Sequence, residues 1–269
     1  LTALGFETNG TPTEEPQLFT GGATFMGEVV SEDFYDKWQS LNRAIQRHGM
    51  KEIAEEAAYT WFNRLMAIRI MVKNDLIAPI LQYESEGVHV PLLVSEARQG
   101  RMPEMNEYDQ RKLMALLDDD SKTSEQFQIL IVAFCHNNPV INSCFGHISD
   151  YTELLLPANI LADGGFIDLI NHTEFIAEED YKSPELIGWL YQFYISEKKD
   201  EVFAKKGKME AEDIPAATQI FTPNWIVKYM VQNTVGRIYL DNNPYSGIRE
   251  GMKYLVEPKQ PTPKEAIYR

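Results

Sequence analysis

The sequence predicts a mainly α fold with little or no sheet, and three observations lead there. Apolar residues recur at helical spacing in six or more stretches, start and stop residues stand at the ends of several of them, and no strand–helix–strand series connects them. At 269 residues the chain has the length of about two domains. Its 44% hydrophobic and 24% charged residues exclude collagen-like and low-complexity classes. The longest apolar run, Ile129 to Phe134, is far short of the ~18 residues a membrane span needs, so no membrane partner is expected.

Residues 1 to 30, with Asn9-Gly10-Thr11-Pro12 and Gly21-Gly22, carry turn chemistry and no sustained period, and read as an irregular lead-in. From Ser31 the pattern changes: Phe34, Trp38, Leu41 and Ile45 fall on one helical face, and Gly49 stands where a glycine ends a helix. A second helix follows from Lys51 to Lys73. Its main stripe is Ile53, Ala57, Trp61, Leu65 and Ile68, and Ala54, Ala58, Phe62 and Met66 widen it enough to predict burial on two sides. Val88, Val90, Leu92 and Val94 alternate as in a short strand. Helix returns after Pro103 up to Asp118-Asp119-Asp120, which reads as a solvated turn. Thr123 and Gln126 have capping-box spacing before the run to Phe134, and Asn137-Asn138-Pro139 ends that helix. Short pieces broken at Pro157 and Gly164-Gly165 precede a helix opened by Ser183, Pro184 and Glu185 and running to about Phe203. A basic connector, Lys205-Lys206-Gly207-Lys208, leads to a last clear helix near Pro223.

Charge divides the chain near residue 180. Residues 1 to 180 hold 12 Lys and Arg against 29 Asp and Glu, net −17, whereas residues 181 to 269 hold 13 against 11, net +2. The expected organisation is therefore a lead-in (1–30), an acidic helical domain (31–180) and a further helical segment (181–269). An acidic face repels a phosphate backbone, so the first part is a poor nucleic-acid groove. Two cysteines cannot form a disulfide framework, which points to a reducing compartment and a cytoplasmic protein. The start, Leu1-Thr2-Ala3-Leu4-Gly5, has neither an initiator Met nor a secretion signal and reads as cut from something longer.

Candidate chemistry is sparse. Cys135, His136, Cys144 and His147 are metal-ligand types, but their spacing matches no common zinc framework and no metal is expected; free cysteine is an ordinary core residue. His48, His89 and His172 stand singly and read as surface or capping residues. No P-loop or dinucleotide-binding glycine motif occurs. Asp241-Asn242-Asn243-Pro244-Tyr245 approaches the Asn/Asp-Pro-Pro-aromatic loop of amino-group methyltransferases but lacks one proline, and a turn is the plainer reading.

Ile214 to Val231 is the most informative stretch. Thr222 reads as an N-cap with Pro223 at the first helical position, and the apolar residues that follow form a docking stripe. Phe221-Thr222-Pro223 followed by Trp225-Ile226-Val227 and Tyr229-Met230-Val231 resembles motif X of the adenine-N6 DNA methyltransferases. The stretch from Ile187 to Phe203 resembles the PglX methyltransferases of the BREX phage-defence systems. Trp61 to Arg69 and Tyr151 to Pro157 are similar to the helical region before motif X in that family, so the resemblance covers roughly residues 51 to 245.

The resemblance implies a site-specific methyltransferase that uses S-adenosylmethionine to methylate adenine in double-stranded DNA, with protein partners in a defence complex. It assigns cofactor contact to Phe221, Thr222 and Pro223, and less directly to Gln219 and Ile220. No catalytic residue is expected in this stretch: the family's glycine-rich cofactor motif and its Asn-Pro-Pro-Tyr loop have no counterpart. The chain is therefore expected to be an N-terminal piece, inactive alone and without tight cofactor binding. The alternative is an acidic helical module that docks partner proteins or imitates DNA charge.

Overall fold

The computed structural model describes residues 1–257 except 86, 147, 149, 173–175, 184, 206, 209, 212, 220 and 221, with the backbone alone at 150, 187, 193 and 194. It is 60% helical and 8% strand, a mainly α protein. Its chain forms two compact units, Leu1–Ile187 and Gly188–Arg269.

The first unit opens with an antiparallel meander, β1 (Gln17–Phe19), β2 (Gly22–Phe25) and β3 (Glu28–Val30), in the stretch expected to be irregular. Strand β2 buries Ala23 and Phe25, and Val30 of β3 is partly buried against the same core. Helix α1 (Glu32–His48) follows. The Ser31 hydroxyl accepts from the Phe34 N–H, and Gly49, at φ 88°, closes the helix with its N–H on the Ile45 carbonyl, a conformation that a side chain would strain. Trp38, Leu41 and Ile45 of α1 pack with Phe6, Phe25 and Ile53, so the lead-in completes the core instead of trailing from it.

Helix α2 (Met50–Lys73) buries the predicted stripe of Ile53, Ala57, Trp61, Leu65 and Ile68. The second stripe is buried only towards the C-terminal half: Met66 is covered and Phe62 partly so, whereas Ala54 and Ala58 are exposed. A two-stranded hairpin, β4 (Tyr83–Ser85) and β5 (Val88–Pro91), takes up only Val88 and Val90 of the alternating segment; Leu92 and Val94, expected to continue the strand, begin α3 (Leu92–Arg98). Helix α4 (Glu107–Leu116) is capped by the Asn106 side chain on the Asp109 N–H.

Helix α5 (Thr123–Asn137) begins without the expected capping box. Arg98 reaches in from α3, donating from Nε to Gln126 Oε1 (3.0 Å) and from Nη2 to the Thr123 hydroxyl (3.0 Å). The Gln126 amide then donates to the Leu116 and Asp119 carbonyls, which makes a buried joint of a residue expected to cap. Asp118, Asp119 and Asp120 are exposed, as a solvated turn requires.

Asn138 ends α5 and caps α6 (Pro139–Phe145), its side chain accepting from the Val140 and Ile141 N–H groups. A 3₁₀ segment, Asp150–Leu155, packs on α1 and α2. The Trp61 indole donates to the Thr152 carbonyl at 2.9 Å, so two stretches that carried the family resemblance meet directly. Helix α7 (Phe166–Asn171) completes the core elements of this unit.

Helix α8 (Leu186–Ala204) lies mostly in the second unit. The Ser183 hydroxyl accepts from the Glu185 N–H just before it; Pro184 lies outside the described residues. Three helices follow: α9 (Ile214–Thr218), α10 (Asn224–Asn233) and α11 (Val235–Asn242). Asn233 holds the segment after α11 against α10, donating to the Tyr254 carbonyl and accepting from the Val256 N–H.

Candidate functional site

Helix α9 ends at Thr218, and Gln219 turns the chain outward, its N–H on the Pro215 carbonyl. Helix α10 then starts differently from the sequence expectation. Pro223 occupies the N-cap position, where its fixed φ and missing N–H cost nothing, and its carbonyl accepts from the Ile226 and Val227 N–H groups. Thr222 stands one residue earlier and makes no capping bond, because proline has displaced it from the position where its hydroxyl would reach the first turn. Gln219, Thr222 and Pro223 are all exposed; Ile220 and Phe221 lie outside the described residues.

Helix α10 buries no side chain within the chain, and Trp225, Val227, Tyr229, Met230 and Val231 are exposed. The expected docking stripe is present and uncovered. Trp225 is 57% exposed, so Trp225→Ala should change the stability of this chain by under ~0.5 kcal/mol in urea unfolding, not by the several kcal/mol of a core tryptophan. A loss above ~2 kcal/mol would mean that the indole is covered in solution.

Tyr245 is fully exposed on the turn after α11, and the Asn243 N–H bonds the Tyr239 and Leu240 carbonyls; this geometry presents no enclosed base site. The Cys and His residues diverge. Cys135 is buried, and burial pushes its thiol up to about 12 against the opposing charge of Arg64, so it stays a protonated core residue. Cys144 is exposed, His136 faces Glu153 at 3.0 Å, and His147 lies outside the described residues. No group able to hold a metal occurs among the described residues.

Sequence reading missed one cluster. His89 and His172, taken as unrelated, both lie 3.7 Å from Asp168 Oδ1, and His89 also pairs with Asp163 at 2.9 Å. The three come from β5, α7 and the residue after α7, and no local spacing in the chain signals their convergence.

This architecture defines a helical protein whose second unit offers an exposed turn and an apolar helix. Comparison with known proteins places it further. The chain is a relative of the PglX-type adenine-specific methyltransferases. It is 35% identical over 277 aligned positions, 98% of its length, to the adenine-specific methyltransferase BrxX of Escherichia coli O9:H4 (strain HS). It is 33% identical over 205 positions, 71% of its length, to the adenine-specific methyltransferase PglX of Lacticaseibacillus casei (strain Zhang). It spans 22% and 16% of those relatives' own lengths. No family model matches the chain.

Proposed function

We propose that the chain is the helical lead of a site-specific methyltransferase that transfers a methyl group from S-adenosylmethionine to adenine N6 in double-stranded DNA, in a BREX-type phage-defence system in the cytoplasm. The observation that carries this reading is the identity to BrxX along 98% of the chain. No helix among the described residues is long and apolar enough to cross a membrane.

In this reading residues 31–180 form the acidic helical domain and residues 181–269 lead into the catalytic core. Phe221, Thr222 and Pro223, with Gln219 and Ile220, form one wall of the cofactor site. The described members suit that part: Thr222 offers an unused hydroxyl and Gln219 a side-chain amide on an exposed turn, beside first-turn N–H groups of α10 that favour a carboxylate. They make one wall and no enclosure, so tight cofactor binding needs a facing surface, and the exposed apolar side of α10 is the contact through which such a surface would dock. The cofactor supplies the methyl group; this chain's residues would position its amino-acid end.

Two measurements test the reading. The chain alone should transfer no tritiated methyl to unmethylated double-stranded DNA above a no-protein control; transfer would place the catalytic core within these residues. In the full-length methyltransferase, Thr222→Ala should weaken S-adenosylmethionine binding several-fold, each tenfold being ~1.4 kcal/mol, and leave the melting temperature unchanged because no cap is lost. Unchanged affinity in a folded, active protein would remove Thr222 from the cofactor site.

A further inference from the structure

His89 of β5 has a carboxylate at each ring nitrogen. Its Nδ1 stands 2.9 Å from Asp163 Oδ1 and its Nε2 stands 3.7 Å from Asp168 Oδ1. A carboxylate only accepts, so each nitrogen needs a proton to bond the oxygen it faces. Neutral imidazole has one proton for its two nitrogens, and imidazolium has two. With a proton on Nδ1 alone, Nε2 turns a lone pair towards Asp168 Oδ1. A second proton converts that contact between two acceptors into a charge-assisted hydrogen bond, once the gap closes to ~2.8 Å.

The two carboxylates differ in what such a bond does. The Asp163 side chain is 94% exposed, and an ion pair so open to water holds little. The Asp168 side chain is 10% exposed and is fixed on α7, its Oδ2 accepting from the Gly164 N–H at 2.9 Å. His172 Nδ1 also stands 3.7 Å from Asp168 Oδ1, but that nitrogen lies 2.8 Å from the Asp168 carbonyl.

The other groups around the ring leave positive charge in short supply. On β4, Tyr83 stacks on His89 at 5.0 Å; burial, aided by Asp168 and Asp163, raises its phenol, so it stays neutral. Across the cavity that His89 shares with α2, Glu84 accepts from the Ser95 hydroxyl, Lys73 is matched by Glu178, and Arg69 lies over the Tyr181 ring. The carboxylates of Glu84, Asp163, Asp168 and Glu178 thus face two cations, one of them already paired.

The β4–β5 hairpin is the element that such a bond would hold. Its strands pair through Tyr83 with Pro91 and Ser85 with Val88, with an irregular register between them, and a two-stranded hairpin is marginal by itself. Asn171 donates to the Leu81 carbonyl at 2.9 Å and ties α7 to the chain just before β4; His89 adds a tie further along the hairpin.

We propose that His89 is a proton-operated clamp: protonated, it bridges Asp163 and Asp168 and holds the β4–β5 hairpin on α7, and neutral, it releases Asp168. The inference does not rest on the cofactor reading, since residues 219–223 belong to the other unit.

Hydrogen exchange of the chain between about pH 5 and about pH 8, the interval in which histidine changes charge, tests it, with rates corrected for the intrinsic pH dependence of amide exchange. Protection of the β4 and β5 amides should be about threefold higher at the acid end, the size of one partly exposed ion pair. His89→Gln should remove that difference, and His172→Gln should leave it. Asp168→Asn places an amide donor opposite the lone pair of neutral Nε2 and should remove or reverse it. If Asp168→Asn fails to fold, the two histidine variants decide. The His136–Glu153 pair is common to all these proteins and cancels in the comparison. Equal protection at both ends in the wild type would overturn the proposal, as would a difference that survives His89→Gln or disappears in His172→Gln.

Discussion

Trp38→Ala is expected to destabilise the first unit by ~4 kcal/mol, the range of a fully buried tryptophan truncated to alanine. Trp38 is 0% exposed and sits where three parts of the chain meet: its ring stacks on Phe6 at 5.1 Å and tilts against Phe25 at 6.4 Å. Its indole N–H donates to the Leu4 carbonyl at 2.8 Å. Truncation leaves a cavity under the meander and strips a partner from Leu4, and both effects loosen the first 30 residues from α1. Trp38→Phe keeps most of the ring and loses the hydrogen bond, so it should cost ~1–2 kcal/mol. Urea unfolding measures both, and proteolysis of the alanine variant should begin before α1. A loss below ~2 kcal/mol for Trp38→Ala would show that the lead-in does not complete this core.

That docking explains where sequence reasoning succeeded and where it failed. Helix α1 was legible residue by residue because its cap, its apolar stripe and its terminal glycine are all local signals. The meander was not, since its strands are three or four residues long and β1 has every side chain exposed, which leaves no alternation to detect. Gln126 had the right spacing for a cap but was claimed by Arg98 from another helix, a tertiary contact that overrides local preference. At α10 the phrase Thr222-Pro223 was correctly read as a helix start, yet shifted by one residue, because proline fits the cap position as well as the first turn. The functional reading came from word-for-word resemblance in residues 187–231, whereas the His89, Asp168 and His172 cluster had no signature, its members being joined only by the folded chain.

Glu153→Gln is the second large effect, expected at ~3 kcal/mol near neutral pH. The Glu153 side chain is 12% exposed in the 3₁₀ segment, with Lys37 Nζ of α1 2.5 Å from Oε2 and His136 Nε2 of α5 3.0 Å from Oε1. One carboxylate thus ties three elements, and removing the charge of a nearly buried partner leaves Lys37 with only the exposed Asp33 carboxylate at 2.6 Å. Burial pushes the Glu153 carboxyl up, but hydrogen bonds from His136 and Lys37 outweigh it and hold the group below its ordinary 4.5. Burial likewise pulls Lys37 down, and its bonds to Asp33 and Glu153 outweigh that and hold it above 10.5. A depressed acid contributes stability that is fully present above its unfolded value and is lost as pH falls through the folded one. A raised base contributes stability present below its unfolded value and lost as pH rises through the folded one. The gap between wild type and Glu153→Gln should therefore narrow as pH falls below 4.5 and as it rises above 10.5. Lys37→Met combined with Glu153→Gln should lose less than the two single losses added, because the pair interacts directly. Additive losses, or a gap that persists unchanged into acid, would show that Glu153 acts through packing alone.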